Sequence, residues 1–530
     1  MKQEIPAILA SDSYKQSHRN QYRKGTEVVY STWTPRKSRI EGIDKVMTFG
    51  IQYFIKDYLI DSFNKTFFNR PKEEVIAEFK RVMTNYTGEP ETSHWEALHD
   101  LGYLPLKISA LDEGTMCPIR VPMLTIENTL PEFYWLTNFV ETIMSTEIWK
   151  PMTSATIAYQ YRKIVEKWAD KTCDKKDHIP YQGHDFSLRG MAGLDGGMTS
   201  GAGHLTCFKG TDTIPAIMFL ETYYNADSSK EQIASSIPAS EHSVQEANIL
   251  SMSPDDIQEG EYLNLKHYLE DVYPTGMFSY VADTYNLWNF MIDTLPRCKA
   301  EILKRSGRAV FRPDSGSIAD ILCGTNSLPE EQQIVTENEL ILQHAENKQY
   351  LPQIRQGVIE LLWDVFGGTV NSKGYKVLDP HVGCIYGDSV TLEIADEVCR
   401  RLASKGFASS NIVFGIGSYT YNYNTRDTFG FALKATYGVV NGQEVQLFKD
   451  PITDDGTKKS QKGMVAVIEG EHGLELVDHL DSTTIGSYEG ENLLTPVFVD
   501  GKLVKETSLS EIRARVEENV KEDLYEKVTA

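Results

Sequence analysis

Hydrophobic residues recur at helical spacing along much of the chain. Such stripes predict amphipathic helices over residues 73–85, 287–295 and 394–402. Two further stripes predict helices that bury one face, namely Ile157, Tyr161, Ile164, Val165 and Trp168 in the first and Ile354, Val358, Leu361, Leu362 and Val365 in the second. The last twenty residues are rich in Glu and Lys and predict an exposed helix.

Apolar runs of strand length end in small and polar residues at four places: FSYVADTYN at 278–286, AVFRPDSGS at 309–317, VGCIYGDSV at 382–390 and NIVFGIGSYT at 411–420. Asp283 and Asp314 are 31 residues apart, and Asp388 and Gly417 are 29 apart, which matches one β-α unit. Strand, acidic tip and helix in repetition are typical of an α/β fold with a parallel sheet. Functional groups of such folds lie at the carboxyl ends of the strands.

Short strands near both ends of the chain predict a second, β-rich domain built from N- and C-terminal segments. Strand patterns occur within residues 104–127 and at 445–448, 464–468 and 496–499. We therefore expect an N-terminal part of the β-rich domain over 1–150, the α/β region that carries the site over 151–435, and a C-terminal β-rich segment with a terminal helix over 436–530.

Composition excludes several classes of protein. The chain has 530 residues, and 53 basic against 75 acidic residues give a net charge of −22. This charge argues against a nucleic-acid binder or a binder of anionic membranes. No apolar run approaches the roughly 18 residues of a membrane span, and residues 5–10 are too short for the apolar core of a signal peptide. The seven scattered cysteines form no C-x-x-C motif, which predicts reduced core residues and a cytoplasmic location.

An acidic protein that binds a phosphorylated substrate needs local positive charge. Five basic residues are candidates: Arg189, Arg312, Arg426 and Lys449, which stand beside Gly, Asp or Pro in loop-like contexts, and Lys434. Arg312 is the strongest candidate, because FRPDSGS places an Arg, an Asp and backbone amides directly after a buried strand. Such a group can hold a sugar phosphate, whereas a solvated ion pair is the alternative for any single Arg.

Other motifs admit both a chemical and a structural interpretation. Phe186 in GHDFSLRG could stack on a flat heterocycle or fill a core, and Asp212 in FKGTDT could bind a ligand amide or cap a helix. The GDS at 387–389 repeats the phosphate-site pattern or forms an Asx turn. His242 in IPASEHS could act as a base, metal ligand or phosphate acceptor, or be structural. Together these residues indicate an α/β enzyme that acts on an anionic sugar phosphate.

Nine motifs, in order, make the chain similar to a known family: ILASDSYKQSH, GHDFSLRG, FKGTDT, IPASEHS, FRPDSG, NSKGYKVLDP, YGDSV, TRD and LFKDP. From about residue 8 to about residue 465 the sequence resembles the nicotinamide phosphoribosyltransferases. The resemblance implies a homodimeric type II phosphoribosyltransferase with an irregular α/β barrel and a β-rich domain. It also implies a reaction of nicotinamide with 5-phosphoribosyl 1-pyrophosphate that yields nicotinamide mononucleotide and pyrophosphate.

The resemblance also implies roles for individual residues. Phe186 and, from the partner subunit, Tyr14 would sandwich the nicotinamide ring, and Asp212 would accept a hydrogen bond from the carboxamide. His242 would be phosphorylated by ATP, and Mg²⁺ would assist the pyrophosphate leaving group, at a metal site that the sequence does not specify. The ribose phosphate would be held by Arg312, Asp314, Gly387 and Asp388, with Ser279, Pro313 and Ser418 beside them, and the remaining phosphates by Arg189, Arg426, Arg36, Lys434 and Lys449. Of these residues we expect His242, Asp314 and Arg312 to be catalytic.

Three features depart from the family pattern. Where the family commonly has a glycine-rich run after FG, this chain has Ser418 and Tyr419, which predicts a reshaped phosphate loop. An acidic insertion near 325–350 and a C-terminal extension are also present.

Three other functions compete with this interpretation. A nicotinate phosphoribosyltransferase would bind a carboxylate substrate, which Asp212 would repel. A barrel isomerase or aldolase would need a catalytic Lys or Glu at a strand end, where this chain offers Asp, Gly and Ser. The presence of His242, Arg312 and Asp314 argues against a non-catalytic binding protein.

Overall fold

The computed structural model describes residues 4–526, except residues 388, 454, 455, 457 and 472. The chain forms two compact units. The first, here the β-rich unit, comprises Met1–Thr156, Ala216–Glu231 and Asn424–Glu522, and the second, here the barrel unit, comprises Ile157–Pro215, Gln232–Tyr423 and Asp523–Ala530. The domain boundaries expected from the sequence stay predictions. Within the described residues, no helix combines the length and apolar character that crossing a membrane requires.

The β-rich unit contains an antiparallel sheet whose strands come from both ends of the chain. Their order is Gln443–Gln446, Ala432–Val440, Thr26–Thr34, Leu124–Asn128, Leu106–Ala110, Thr495–Val499 and Lys502–Leu503. In its core, the fully buried Trp33 stacks on Phe431 with ring centroids 5.4 Å apart. The prediction of a β-rich domain shared by the N- and C-terminal segments is confirmed.

The barrel unit contains parallel strands that are closed into a ring by a short irregular segment. Their order is Gly210–Thr211, Gly183–Asp185, Ile412–Ile416, Val382–Tyr386, Ala309–Arg312 and Phe278–Val281. Residues 235–239, here the closing segment, join the two outer strands through single parallel bridges, Gly210 to Ser235 and Ala239 to Ser279. Because these are isolated bridges rather than a continuous ladder, the barrel is irregular. The predicted fold class, an irregular α/β barrel with a β-rich domain, is confirmed.

Smaller antiparallel pairs complete the strands. In the β-rich unit Lys45–Met47 pairs with Met116–Pro118, and Met464–Gly470 pairs with Gly473–Leu480. In the barrel unit Gly368–Val370 pairs with Lys376–Leu378.

Helices account for most of the remaining chain. Those outside the central region are His18–Gln21, Ile51–Phe54, Lys72–Thr87, Ser93–Leu101, Leu136–Phe139, Glu141–Thr172 and Leu509–Lys521. Those of the central region are Ile179–Gln182, Gly193–Leu205, Ile214–Tyr223, His242–Met252, Ile257–His267, Leu287–Asn289, Leu295–Arg297, Lys299–Lys304, Ile318–Cys323, Glu330–Gln343, Leu351–Gln356, Val358–Phe366, Leu392–Ser404 and Ser418–Asn422.

Most predicted helices are confirmed. Residues 73–85 lie within Lys72–Thr87, and the stripe from Ile157 to Trp168 lies on Glu141–Thr172. Residues 394–402 lie within Leu392–Ser404, where the Thr391 side chain accepts a hydrogen bond from the backbone N–H of Ile394 at 3.3 Å and caps the helix. Apolar residues at helical spacing, together with a capping residue, were therefore sufficient to predict this helix.

Two helix predictions were wrong in detail. The stripe from Ile354 to Val365 is divided between two helices by Gly357, which has a φ of +78°. A Cβ on Gly357 would lie 2.3 Å from the backbone N of Gly324, so the close approach of another chain segment breaks the helix. The terminal helix Leu509–Lys521 is not exposed on all sides, because it buries Leu509, Ile512, Val516 and Val520.

All seven cysteines are buried thiols that form no disulfide bond, as the sequence predicted. Burial raises the pKa of most of these thiols, for example to about 12 for Cys323. They are therefore core residues.

A buried carboxyl group should make the stability of the barrel unit depend on pH. Glu261 is 3% exposed, and burial raises its pKa from 4.5 to about 8. Its protonated form contributes stability that is complete below about pH 4.5 and is lost as the pH rises through about 8. Glu261→Gln should therefore gain about 2–4 kcal/mol in unfolding free energy over the wild type between about pH 5 and pH 8.

Urea unfolding at these two pH values measures the gain. Glu259→Gln on the same helix, which removes a half-exposed partner of Arg297, is the control and should show no such pH-dependent difference. An equal pH dependence in wild type and Glu261→Gln would contradict the prediction.

Candidate active site

The carboxyl ends of the barrel strands bring together most of the residues that the sequence singled out. Phe186 follows strand Gly183–Asp185, and its backbone N–H donates to the carbonyl of Ile416 at the end of the neighbouring strand, at 2.9 Å. Asp185 is completely buried and accepts hydrogen bonds from Ser187 N (2.9 Å) and Thr213 Oγ1 (2.7 Å). These bonds hold the two loops that carry Phe186 and Asp212.

Phe186 and Asp212 both contact His184. The His184 and Phe186 rings are 4.4 Å apart at an interplanar angle of 35°, and His184 Nε2 lies 2.9 Å from Asp212 Oδ1. Ser236 Oγ donates to the same oxygen at 2.6 Å. Partial burial opposes ionisation of Asp212, but the hydrogen bonds from His184 and Ser236 outweigh it and lower its pKa. The result is an ionised carboxylate beside an aromatic ring.

Arg312 lies among several carboxylates at the end of strand Ala309–Arg312. Its Nη2 donates to the carbonyl of Ser240 at 2.7 Å. Burial lowers the pKa of Arg312, while the charges of Asp314, Asp212 and Asp283 act in the opposite direction. A guanidinium remains protonated in such a setting, so Arg312 is the positive centre of an acidic pocket.

The loops after two adjacent strands meet at Asp314 and Gly387. The Asp314 N–H and the Ser315 hydroxyl both donate to Asp283 Oδ2, at 2.8 and 2.6 Å. Gly387 N donates to the carbonyl of Pro313 at 3.3 Å, and a Cβ on Gly387 would lie 2.1 Å from Asp314 Oδ1. Only a glycine lets the carboxylate approach this closely, so Gly387 is needed for the shape of the pocket.

His242 is the first residue of helix His242–Met252 and faces Asp314. Its Nε2 lies 3.7 Å from Asp314 Oδ2, and its Nδ1 lies 3.3 Å from Thr284 Oγ1. Its neighbour Ser243 hydrogen-bonds to Glu241, so the groups within reach of the imidazole come from other strand ends.

Ser418 begins the short helix Ser418–Asn422 and packs against Gly190. A Cβ on Gly190 would lie 2.1 Å from Ser418 Oγ, and Asn422 Nδ2 donates to the Gly190 carbonyl at 3.0 Å. The exposed Arg189 directly precedes this contact. The glycine-poor run thus forms a helical turn fitted to the Gly190 loop.

Predicted site residues in the β-rich unit are Tyr14, Arg36, Arg426, Lys434 and Lys449. Lys434 lies on strand Ala432–Val440, and burial lowers its pKa. The charge of Glu141 opposes this shift, while Arg36, Lys449 and Lys15 add to it. Arg36, Lys434 and Lys449 therefore form one group of cations. Tyr14 is 58% exposed.

The structure also shows where three further predicted site residues lie. Ser279 lies on strand Phe278–Val281, and its Oγ is buried without a hydrogen-bond partner among the described residues. Pro313 is buried between Arg312 and Asp314. Arg426 lies at a helical turn beside Asp427, 3.5 Å away. Asp388 falls outside the described residues.

Several neighbours of the site were not assigned roles from the sequence: His184, Ser236, Ser240, Asp283 and Thr284. Asp283 was visible as an acidic strand tip, His184 and Ser240 lie inside motifs that were already noted, and Ser236 directly precedes one of them. Their pairings join residues from 24 to 72 positions apart, so local patterns could not specify them.

Comparison with known proteins agrees with this geometry. The model of the nicotinate phosphoribosyltransferase (NAPRTase) family matches residues 181–502, and that of the nicotinamide phosphoribosyltransferase N-terminal domain matches residues 6–108. A nicotinamide phosphoribosyltransferase of Acinetobacter baylyi is 44% identical, over 97% of each chain. One from Mycoplasma pneumoniae is 32% identical, over 86% of this chain and 94% of the relative.

A solved structure supports the fold. The nicotinate-nucleotide pyrophosphorylase of Pyrococcus furiosus superposes with a TM-score of 0.54 at 14% identity, over 98% of this chain and 97% of that chain. The chain therefore belongs to the nicotinate phosphoribosyltransferase (NAPRTase) family, together with the nicotinamide phosphoribosyltransferases that it matches along most of its length.

Proposed function

We propose that this protein is a nicotinamide phosphoribosyltransferase of NAD salvage. It joins nicotinamide to 5-phosphoribosyl 1-pyrophosphate and releases nicotinamide mononucleotide and pyrophosphate. The match to a nicotinamide phosphoribosyltransferase over 97% of the chain supports the reaction class. The observation that carries the choice of the amide is the ionised Asp212, whose partner His184 also contacts the Phe186 ring. A nicotinate phosphoribosyltransferase is the second candidate, because the matching family model carries that description.

The reaction forms one bond and breaks one. The ring nitrogen of nicotinamide attacks C1 of the ribose with its lone pair, and the C1–O bond to pyrophosphate breaks with its electrons on the leaving oxygen. Because positive charge develops on the ribose, carboxylates such as Asp314 stabilise the transition state, while Arg312 holds phosphate oxygens. Arg36, Lys434 and Lys449 are a separate group of cations suited to phosphate. The ring nitrogen is already nucleophilic and needs positioning rather than activation.

Positioning of the ring is assigned to aromatic stacking and one hydrogen bond. Phe186 provides one face, and Tyr14 of the partner subunit would provide the other. Asp212 Oδ1 is occupied by His184 and Ser236, which leaves the other oxygen of the carboxylate for a carboxamide N–H. A nicotinate carboxylate would meet this charge unfavourably.

The acidic residues of the pocket fit a magnesium ion. Asp283 Oδ1 is buried and has no hydrogen-bond partner among the described residues, while Oδ2 is engaged by Asp314 N and Ser315. The described residues contain no group of three His, Cys, Asp or Glu able to hold a metal alone, so pyrophosphate oxygens and water would complete the shell. Asp283 and Asp314 would hold the ion, which neutralises charge on the leaving group when bound.

ATP and a second subunit belong to the same proposal. His242, at a helix N-terminus and facing Asp314, would accept a phosphoryl group from ATP and couple hydrolysis to synthesis. The exposed Tyr14 supports a homodimer in which each site draws one aromatic face from the partner subunit. The buried cysteines, which form no disulfide bond, support a cytoplasmic location.

The substrate is identified by incubating the protein with phosphoribosyl pyrophosphate, Mg²⁺ and either nicotinamide or nicotinate. We expect nicotinamide mononucleotide as the main product by mass spectrometry. Asp212→Asn should raise the nicotinate-to-nicotinamide ratio of kcat/KM by about tenfold, because a carboxylate–carboxylate repulsion disappears.

Glu241→Gln removes an exposed charge outside the ring pocket, so it should leave this ratio unchanged. A ratio that does not move in Asp212→Asn would remove Asp212 from the ring pocket. Nicotinate mononucleotide as the main wild-type product would favour the second candidate.

Hybrid dimers test whether Tyr14 completes the partner's site. Tyr14→Ala and Asp314→Ala should each be nearly inactive alone. After subunit exchange at equal concentration, half of the dimers are hybrids with one intact site, so about one quarter of the wild-type activity should return. No recovery in hybrids isolated with two affinity tags would mean that Tyr14 acts within its own chain.

The effects of ATP on the enzyme test the proposed phosphorylation of His242. We expect the wild type to hydrolyse ATP during turnover, to form more mononucleotide with ATP, and to carry an acid-labile phosphate from γ-labelled ATP. His242→Ala should lose all three effects, because an imidazole nitrogen is the acceptor. His267→Ala, a change at an exposed histidine paired with Asp271, is the control and should keep them. Full labelling of His242→Ala would exclude His242 as the phosphorylated residue.

A further inference from the structure

Ser240, directly after the closing segment, connects the barrel wall to Arg312. Its backbone N–H donates to the carbonyl of Ser279 at 3.0 Å, and its Oγ accepts from the N–H of Val281 at 2.9 Å. Its carbonyl accepts from Arg312 Nη2 at 2.7 Å. The position of this one carbonyl therefore sets where the Arg312 guanidinium points.

A buried glutamine also holds Ser240. Gln245, completely buried on the first turns of helix His242–Met252, donates through Nε2 to Ser240 Oγ at 2.9 Å. Its Oε1 accepts from Asn264, which also donates to the Tyr280 hydroxyl at 2.9 Å. A chain of buried polar side chains thus runs from helix Ile257–His267 to Ser240, and each of its side-chain nitrogen and oxygen atoms has at least one hydrogen-bond partner.

Packing alone does not require these hydrogen-bonded side chains. A buried amide must recover its desolvation cost through hydrogen bonds, and an apolar side chain of similar volume has no such cost. What hydrogen bonds add is direction, because each fixes the angle between its partners. Here the fixed residue is Ser240, directly after a closing segment that is attached to its neighbouring strands by isolated bridges.

We propose that Gln245, acting through Ser240, is a positioning residue for Arg312 and hence for the phosphate end of the phosphoribosyl substrate. This inference rests on the proposed function. Gln245 touches no substrate. It keeps the Ser240 carbonyl in place, so that one N–H of the guanidinium is engaged and the rest of its planar fork faces the pocket.

The first test compares the KM values for the two substrates. Gln245→Met keeps the volume but removes the donor, and Ser240→Ala removes the hydroxyl that receives it. Each should raise KM for phosphoribosyl pyrophosphate about five- to twentyfold, while KM for nicotinamide stays within about twofold. Asn248→Ala on the same helix is the control: it removes a hydrogen bond to Asn264 (3.2 Å) but none to Ser240, so neither KM should change.

A double-mutant cycle separates positioning from general destabilisation. Because Gln245 acts through Ser240, the double variant should raise KM for phosphoribosyl pyrophosphate no more than either single variant, although its thermal midpoint falls further. The proposal would be overturned if the two substitutions multiplied each other's effect on KM for phosphoribosyl pyrophosphate. It would also be overturned if KM rose equally for both substrates. If Gln245→Met does not fold, Ser240→Ala alone decides, and an unchanged KM for phosphoribosyl pyrophosphate overturns it.

Calorimetric binding of phosphoribosyl pyrophosphate with Mg²⁺, without nicotinamide, tests the positioning role of Ser240 separately from the proposed function. Binding by the wild type and weaker binding by Ser240→Ala supports the positioning role. Equal binding by both proteins overturns that role and leaves the proposed function intact. No binding by the wild type overturns both.

Discussion

Closure of the barrel by an irregular segment is the constraint on which the site depends. The outer strands Gly210–Thr211 and Phe278–Val281 are joined only through residues 235–239, by the two single bridges that the described residues show. Closure places the end of this segment among the carboxyl ends of the strands. Ser236 then reaches Asp212, and His242 reaches Asp314. A regular strand here would pair more of its backbone but would leave less freedom to direct these side chains.

Electrostatics imposes a second constraint. A chain with a net charge of −22 has to present a positive centre to an anionic substrate. Arg312 provides it, although Asp212, Asp283 and Asp314 surround it. The acids keep the guanidinium charged, and one carbonyl holds it in place. The pocket combines groups suited to phosphate with groups suited to a cationic ribosyl carbon, which is the charge pattern of phosphoribosyl transfer.

Local patterns were informative wherever a signal lies within one turn or one strand. Stripes of apolar residues located Lys72–Thr87 and Leu392–Ser404, and the apolar runs located the central barrel strands. The break at Gly357 was missed because its cause is the distant Gly324. The buried face of the terminal helix was missed because a high content of Glu and Lys conceals four well-spaced apolar residues.

The sequence by itself determined the α/β architecture, the family and most of the loops that carry the site, because those depend on periodicity and on short motifs. Only the tertiary structure decided which groups act on one another. The pairing of Asp212 with His184 and Ser236, of His242 with Thr284 and Asp314, and of Arg312 with Ser240 joins different strand ends. Hydrogen bonds depend on distance and angle in space, and neither is encoded in separation along the chain.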